Sequence, residues 1–367
     1  MRAGSDTVAV DRLEVHVFRL PTDFPEADGT LRWDATTAVV VEAAGGGELG
    51  LGYTYASPAA AEVVFESLAP VVVGGDALDV GAAFEAMVRA VRNLGRPGAV
   101  MMAVSAVDLA LWDLKARLLG ISLAALLGRL RAAVPIYGSG GFTSYPVKRL
   151  QDQLAGWVAA GTPRVKMKVG AQPDQDPARV AAAREAIGTE PALFVDANGA
   201  YSVKQALALA QRFGAHAVRW FEEPVSSDAL DQLRLIRRSA PAGMDIAAGE
   251  YGDGSVYFRR MLQAGAVDVL QVDATRCGGA TGFLRAAAIA QAFEVPLSAH
   301  CAPAIHAALC CCVPNLAHLE HFHDHVRVEA LLFDGAPEPR AGTLAPDPSR
   351  PGLGLRLKRA DAERYRI

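Results

Sequence analysis

From Val134 onward, short apolar runs rich in β-branched residues alternate with Ala-rich stretches whose apolar positions recur every three or four residues. The runs are VPIYGS, RVKMKVG, ALFVDAN, AVRWFEE, MDIAAGE, VDVLQVDA, VPLSAH and AHLEHF. Strand and helix in alternation predict a parallel sheet with helices outside, and eight such units in residues 134–335 predict a closed (β/α)8 barrel, an α/β fold, over an open sheet. Residues 1–133 read differently. VAVDRLEVHVFRL and TTAVVVEAA are β-rich, and VMMAVSAVDLALWDLKARLLG has helical periodicity that stops at Gly120, so this part is a separate N-terminal α+β unit. Two stretches in it, about 20–36 and 47–58, read as lid loops, the first being longer than a hairpin connection needs. The tail, 336–367, is Pro/Gly-rich and aperiodic and is expected to pack back across the first unit.

In such a barrel the chemistry sits at the C-terminal strand ends. Strand two ends in Lys166 and Lys168, three in Asp196 and Asn198, four in Glu222 and Glu223, five in Glu250, six near Asp273, seven at His300 and eight at Glu320. One solvated charge at a strand end is ordinary; seven successive ends aimed at one mouth describe a site. Asp196, Glu222 and Glu250 come from adjacent strands, and three crowded carboxylates raise one another's pKa unless a cation lies among them. All-oxygen donors without thiolate favour Mg²⁺. Lys166 and Lys168, two apart on a strand, share the inward face, and each ammonium is expected to lower the pKa of the other toward use as a base. His300 and Asp273 lie on neighbouring strands, where a carboxylate fixes the imidazole tautomer and makes a second proton-transfer group.

Charge and composition narrow the partners. The formal charge is −4 and no long basic stretch appears, which argues against nucleic acid; no segment suits a membrane span or a signal peptide, so a cytoplasmic address is expected. Five cysteines, Cys277, Cys301, Cys310, Cys311 and Cys312, read as reduced small core residues. HLEHFHDH gathers His318, His321, His323 and His325 but lacks the HExxH spacing and cysteine partners of a zinc site.

The ordered set KMK, DAN, EEP, GE, DATRCGG and AH resembles the enolase superfamily and, within it, the mandelate racemase group, over nearly the whole chain. The resemblance implies that residues 1–133 are a capping domain, that Asp196, Glu222 and Glu250 hold Mg²⁺, and that Lys168 is the base on one face of the substrate. It further implies that Lys166 assists and touches the substrate carboxylate, that His300 with Asp273 serves the opposite face, and that Glu320 is a carboxylic acid bonded to that carboxylate. Asn198 matches a position that contacts substrate or supports the metal. The related muconate-lactonizing group carries a lysine on strand six, where this chain has Asp273 and Arg276. The shared step is removal of the proton next to a carboxylate to give an enediolate, as this superfamily's sites are generally described.

Dehydration of a sugar acid is the leading expectation, from the frequency of such activity in the family. Racemisation or epimerisation of a 2-hydroxy acid and cycloisomerisation of a sugar-acid lactone are the alternatives; a barrel that only binds a sugar acid is a remote one. Arg32, Trp33 and Tyr145 are candidate substrate contacts, with Asp23, Phe24, Tyr53, Tyr55, Ser139 and Thr143 as further polar or aromatic candidates. The expected partner is a small carboxylate, and the expected assembly a homo-oligomer.

Overall fold

In a computed structural model, which describes residues 7–367, the N-terminal unit is a three-stranded antiparallel sheet, β1 (Arg12–Ala27), β2 (Arg32–Gly45) and β3 (Glu48–Tyr55), backed by helices that include Val80–Ala90 and Ala99–Leu118. The inner sheet face (Val39, Val41, Ala43) and the helices (Met101, Val104, Val107, Leu111) form one buried cluster. The other face, through Phe18, Leu20, Val40 and Tyr53, belongs to the core shared with the barrel.

Both stretches expected as lid loops are strands. Residues 20–36 form the end of the β1–β2 hairpin, whose register shifts between Pro21 and Glu26; that irregularity accommodates prolines a regular ladder would exclude. Residues 48–55 pair with β2 along their full length. Gly50 and Gly52 are there because the helix Ala99–Leu118 lies against the strand: a Cβ on either would come within 2.2 Å of a helix carbonyl oxygen.

The barrel comprises eight parallel strands: β4 (Val134–Gly140), β5 (Arg164–Lys168), β6 (Ala192–Asp196), β7 (Val218–Glu222), β8 (Asp245–Ala248), β9 (Val269–Val272), β10 (Leu297–Ala299) and β11 (Leu316–Phe322). They hydrogen-bond in chain order and β11 returns to β4, so the sheet closes. A helix follows every strand. The tail ties the two units together. Asp113 of the capping helix accepts the backbone N–H of Leu51 at 2.7 Å and of Leu353, and Arg359 reaches Glu42 at 2.8 Å. Among the described residues no helix is long and apolar enough to cross a membrane.

Strand periodicity sorts the barrel interior into layers. Tyr137, Phe194, Trp220 and His318 form a buried aromatic floor, with Phe194 stacked 5.4 Å from Trp220. Two residues further along the same strands stand Ser139, Asp196, Glu222 and Glu320, all buried.

Candidate active site

Sheet register assembles the first row of polar groups: Lys168 lies opposite Asp196, and Asp196 opposite Glu222. Glu250 enters just after β8. One carboxylate oxygen each from Asp196, Glu222 and Glu250 falls within 4.8 Å of the others, all in buried side chains. Oε2 of Glu250 is buried without a hydrogen-bond partner. Burial and the adjacent Asp196 push Glu222 well above the usual carboxylate range. Three hard oxygen donors, one with an unpaired atom and one pushed up by burial and its acidic neighbour, fit a hard divalent cation such as Mg²⁺.

Lys166 and Lys168 both face inward, and Lys166 is fully buried. Its Nζ donates to both oxygens of Glu222 at 2.7 Å and lies 2.7 Å from Glu320 Oε1; Lys168 Nζ donates to Asp196 Oδ2. The expected mutual lowering of the lysine pKa values is reversed. Burial favours the neutral amines, but Asp196 next to Lys168, and Glu222 with Glu320 next to Lys166, outweigh it and hold both above the ordinary lysine value. Lysine is outnumbered by carboxylate here, so a divalent cation that takes up the carboxylate charge is what would release Lys168 toward its free-base form.

On the other side, His300 Nδ1 donates to Asp273 Oδ2 at 2.8 Å, which leaves Nε2 facing the site, a tautomer assigned from the hydrogen bond. Asp273 Oδ1 accepts the backbone N–H and hydroxyl of Thr275, both at 2.7 Å. Burial would raise Asp273, yet the hydrogen bond and charge of His300, with Arg276, hold it far below the usual range. Nε2 of His300 is 3.5 Å from Glu250 Oε2 and 3.7 Å from Glu320 Oε2.

Glu320 departs from the expected carboxylic acid. Burial would protonate it, but Lys166 and then His300 keep it well below the usual range, and it accepts Ser139 Oγ at 2.6 Å. Asn198 sits in a left-handed turn, φ 46°, donates its backbone N–H to Asp196 at 2.9 Å, and has a buried Oδ1 without a partner. The hairpin candidates divide. Trp33 gives its indole N–H to Glu26 at 2.8 Å and packs edge-on to Phe142, Tyr145 is buried against Phe24 and Phe142, and Arg32 is exposed on the hairpin. Burial raises Tyr145 to about 12, and its hydroxyl is unpaired. The four histidines of HLEHFHDH do not converge. His318 is in the floor, His323 faces Asp23 at 3.2 Å, and His325 stacks on Tyr55 at 3.5 Å.

Three further neighbours shape the site: Trp220 and Cys301, which strand-end reasoning does not single out, and Glu223, which it places beside Glu222. Trp220 fixes Glu222 through a 2.8 Å indole N–H bond, a relationship that the two-residue spacing on one strand does signal. Glu223, φ 37°, turns a second carboxylate inward, where Oε1 is buried without a partner. Cys301 places Sγ 3.2 Å from His300 Nε2, against the alternation that sends the residue after His300 to the other face.

Fold and site together define a capped barrel in which a lysine pair and a His–Asp pair flank an acidic trio. Residues 149–362 match the Enolase C-terminal domain-like family, and residues 14–128 match the Mandelate racemase / muconate lactonizing enzyme N-terminal domain. The chain belongs to the mandelate racemase/muconate lactonizing enzyme group of the enolase superfamily, and it is an enzyme of that superfamily. It is 31% identical over 296 residues to D-galactarolactone cycloisomerase of Agrobacterium fabrum, covering 79% of this chain and 78% of that one. With 3,6-anhydro-alpha-L-galactonate cycloisomerase of Streptomyces coelicolor it is 31% identical over 363 residues, 95% and 97% of the two chains. With L-talarate/galactarate dehydratase of Salmonella typhimurium it is 32% identical over 279 residues, 74% and 69%.

Among solved structures, a mandelate racemase/muconate lactonizing enzyme-like protein from Rubrobacter xylanophilus superposes with TM-score 0.96 at 57% identity, over 98% and 100% of the chains. A racemase from Streptomyces coelicolor with bound magnesium gives 0.92 at 29%, over 98% and 100%. The Salmonella dehydratase liganded with Mg and L-lyxarohydroxamate gives 0.91 at 26%, over 100% and 95%.

Proposed function

We propose that the chain removes the proton α to a sugar-acid carboxylate in a Mg²⁺-dependent reaction and then cleaves the C–O bond at the β carbon, most simply as a dehydration. One observation carries this reading. The two proton-transfer groups touch opposite ends of the acidic trio: Lys168 donates to Asp196, while His300 Nε2 lies 3.5 Å from Glu250. Bound by Asp196, Glu222 and Glu250, Mg²⁺ would supply charge for the enediolate oxygens. Lys168 takes the α-proton from one face. Lys166, fixed between Glu222 and Glu320, presents its ammonium to the substrate carboxylate. His300, as an imidazolium whose Nδ1–H is held by Asp273, gives its Nε2 proton to the departing hydroxyl, which leaves as water.

A second reading has its own support in the likeness to two cycloisomerases, one of them along 95% of this chain. If the β oxygen belongs to a ring, the same proton movements open the ring and no water is lost. The test is a panel of aldonates, aldarates and their lactones or anhydro forms in D₂O with Mg²⁺, followed by semicarbazide detection of the 2-keto product and by NMR. A 2-keto product from an acyclic acid supports dehydration, and product only from cyclic acids supports ring opening. Inversion at the α carbon without a keto product would replace both with racemisation or epimerisation. Absence of α-deuterium incorporation and of turnover across the panel would overturn the sugar-acid reading.

A further inference from the structure

His300, Cys301 and Glu320 form a second metal-capable group beside the acidic trio. The three relevant distances are all known: Cys301 Sγ to His300 Nε2 is 3.2 Å, Sγ to Glu320 Oε2 is 3.4 Å, and Nε2 to that same oxygen is 3.7 Å. Nitrogen, sulfur and oxygen ligands of one tetrahedral zinc ion, bound at about 2.0–2.3 Å, stand roughly 3.3–3.7 Å from each other. All three side chains are less than a tenth exposed.

The backbone builds this group. Cys301 and Ala302 are consecutive left-handed residues, φ 52° and 37°, so the chain turns sharply after β10 and brings the thiol back over the imidazole before it. Asp273 holds His300 Nδ1, the carboxylate support usual behind a ligating histidine. Glu320 gives Oε1 to Lys166 and Ser139 and leaves Oε2 for this corner. Glu250 Oε2, a member of the acidic trio, lies 3.5 Å from Nε2, so the two groups adjoin.

The geometry points to a zinc-class binding site at His300, Cys301 and Glu320, distinct in donor chemistry from the all-oxygen trio, whose occupation inhibits the enzyme. A soft or borderline divalent ion binds there as the Cys301 thiol gives up its proton to solvent and forms a thiolate–metal bond. The Nε2 lone pair is then committed to the ion. Binding stands independently of which acid is turned over; only the inhibition rests on the proposed role of His300.

The experiment takes the full-length protein with Mg²⁺ in excess and adds Co²⁺, then Zn²⁺. Expected is a thiolate-to-cobalt charge-transfer band in the near ultraviolet, bleached by Zn²⁺ and absent in Cys301→Ser. On the zinc-loaded wild-type protein, X-ray absorption should show one sulfur at about 2.3 Å with nitrogen and oxygen neighbours at about 2.0–2.2 Å. In an assay, the Zn²⁺ concentration that halves each protein's own rate should rise at least tenfold in Cys301→Ser. A zinc shell of nitrogen and oxygen alone, or a charge-transfer band that survives Cys301→Ser, overturns the site. Because the wild-type absorption measurement needs neither a variant nor a substrate, its result stands even if the variant misfolds or the sugar-acid reading fails. Correct spectra with zinc-insensitive turnover would retain the site and remove the inhibition.

Discussion

Lys166 on β5 reaches past β6 and donates to both carboxylate oxygens of Glu222 on β7, at 2.7 Å each. An ammonium with no exposure thus fixes the central member of the acidic trio, and Trp220 closes on that carboxylate from the floor below. Glu222 is held in place from two sides, preorganisation of the kind electrostatic catalysis needs.

Glu222→Gln keeps the shape of this contact and removes its charge. Mg²⁺ affinity, read by calorimetric titration, should fall about tenfold or more, since even supporting residues around a metal cost that much. Unchanged affinity would take Glu222 out of the ligand set.

Lys168→Ala removes the amine paired with Asp196. Washing of solvent deuterium into the α position should fall by about 10²–10⁴, the usual worth of a general base, while circular dichroism stays native. Exchange at the wild-type rate would mean that the proton leaves toward another group.

His300→Asn separates the two halves of the reaction. With Lys168 intact, α-deuterium exchange should continue while keto-acid formation drops by about 10²–10⁴. Loss of exchange as well as product would identify His300 as the abstracting base.

Asp113→Ala tests the joint between capping helix and tail. It strands the Arg117 guanidinium, 2.6 Å away, and the buried N–H groups of Leu51 and Leu353. Stability should fall by about 2–4 kcal/mol in urea unfolding, because each orphaned buried group costs about 1–3 kcal/mol and the three relax in part. A loss under 1 kcal/mol would show the joint to be incidental.

Glu329 joins the domains through Tyr53, which donates to it at 2.6 Å, and burial raises it from the ordinary 4.5 to about 8. The folded state therefore binds a proton that the unfolded state has released. This contribution is full below pH about 4.5 and is lost as pH climbs through about 8. Glu329→Gln should flatten the fall in melting temperature across that interval; an equally steep fall in the variant would place its origin elsewhere.

Much of this was legible in the chain because strand alternation and one polar group per unit are local properties. The row Lys168, Asp196, Glu222 follows from inward spacing and sheet register. What failed to show was non-local. Residues 47–58 read as a lid loop, but Gly50 and Gly52 within them answer to a helix roughly fifty residues downstream that no local window contains. The lysine pair was read by its mutual repulsion, whereas its charge state is set by carboxylates from three other strands. Cys301 was hidden because two left-handed residues break the alternation on which the reading relied.

The buried mouth also has a polarity. Asp196, Glu222, Glu223, Glu250, Asp273 and Glu320 face Lys166, Lys168 and Arg276, six acidic groups against three basic ones. A divalent guest held by the trio would cut that excess of three to one, so an incoming anion would meet far less repulsion with the ion already seated than without it.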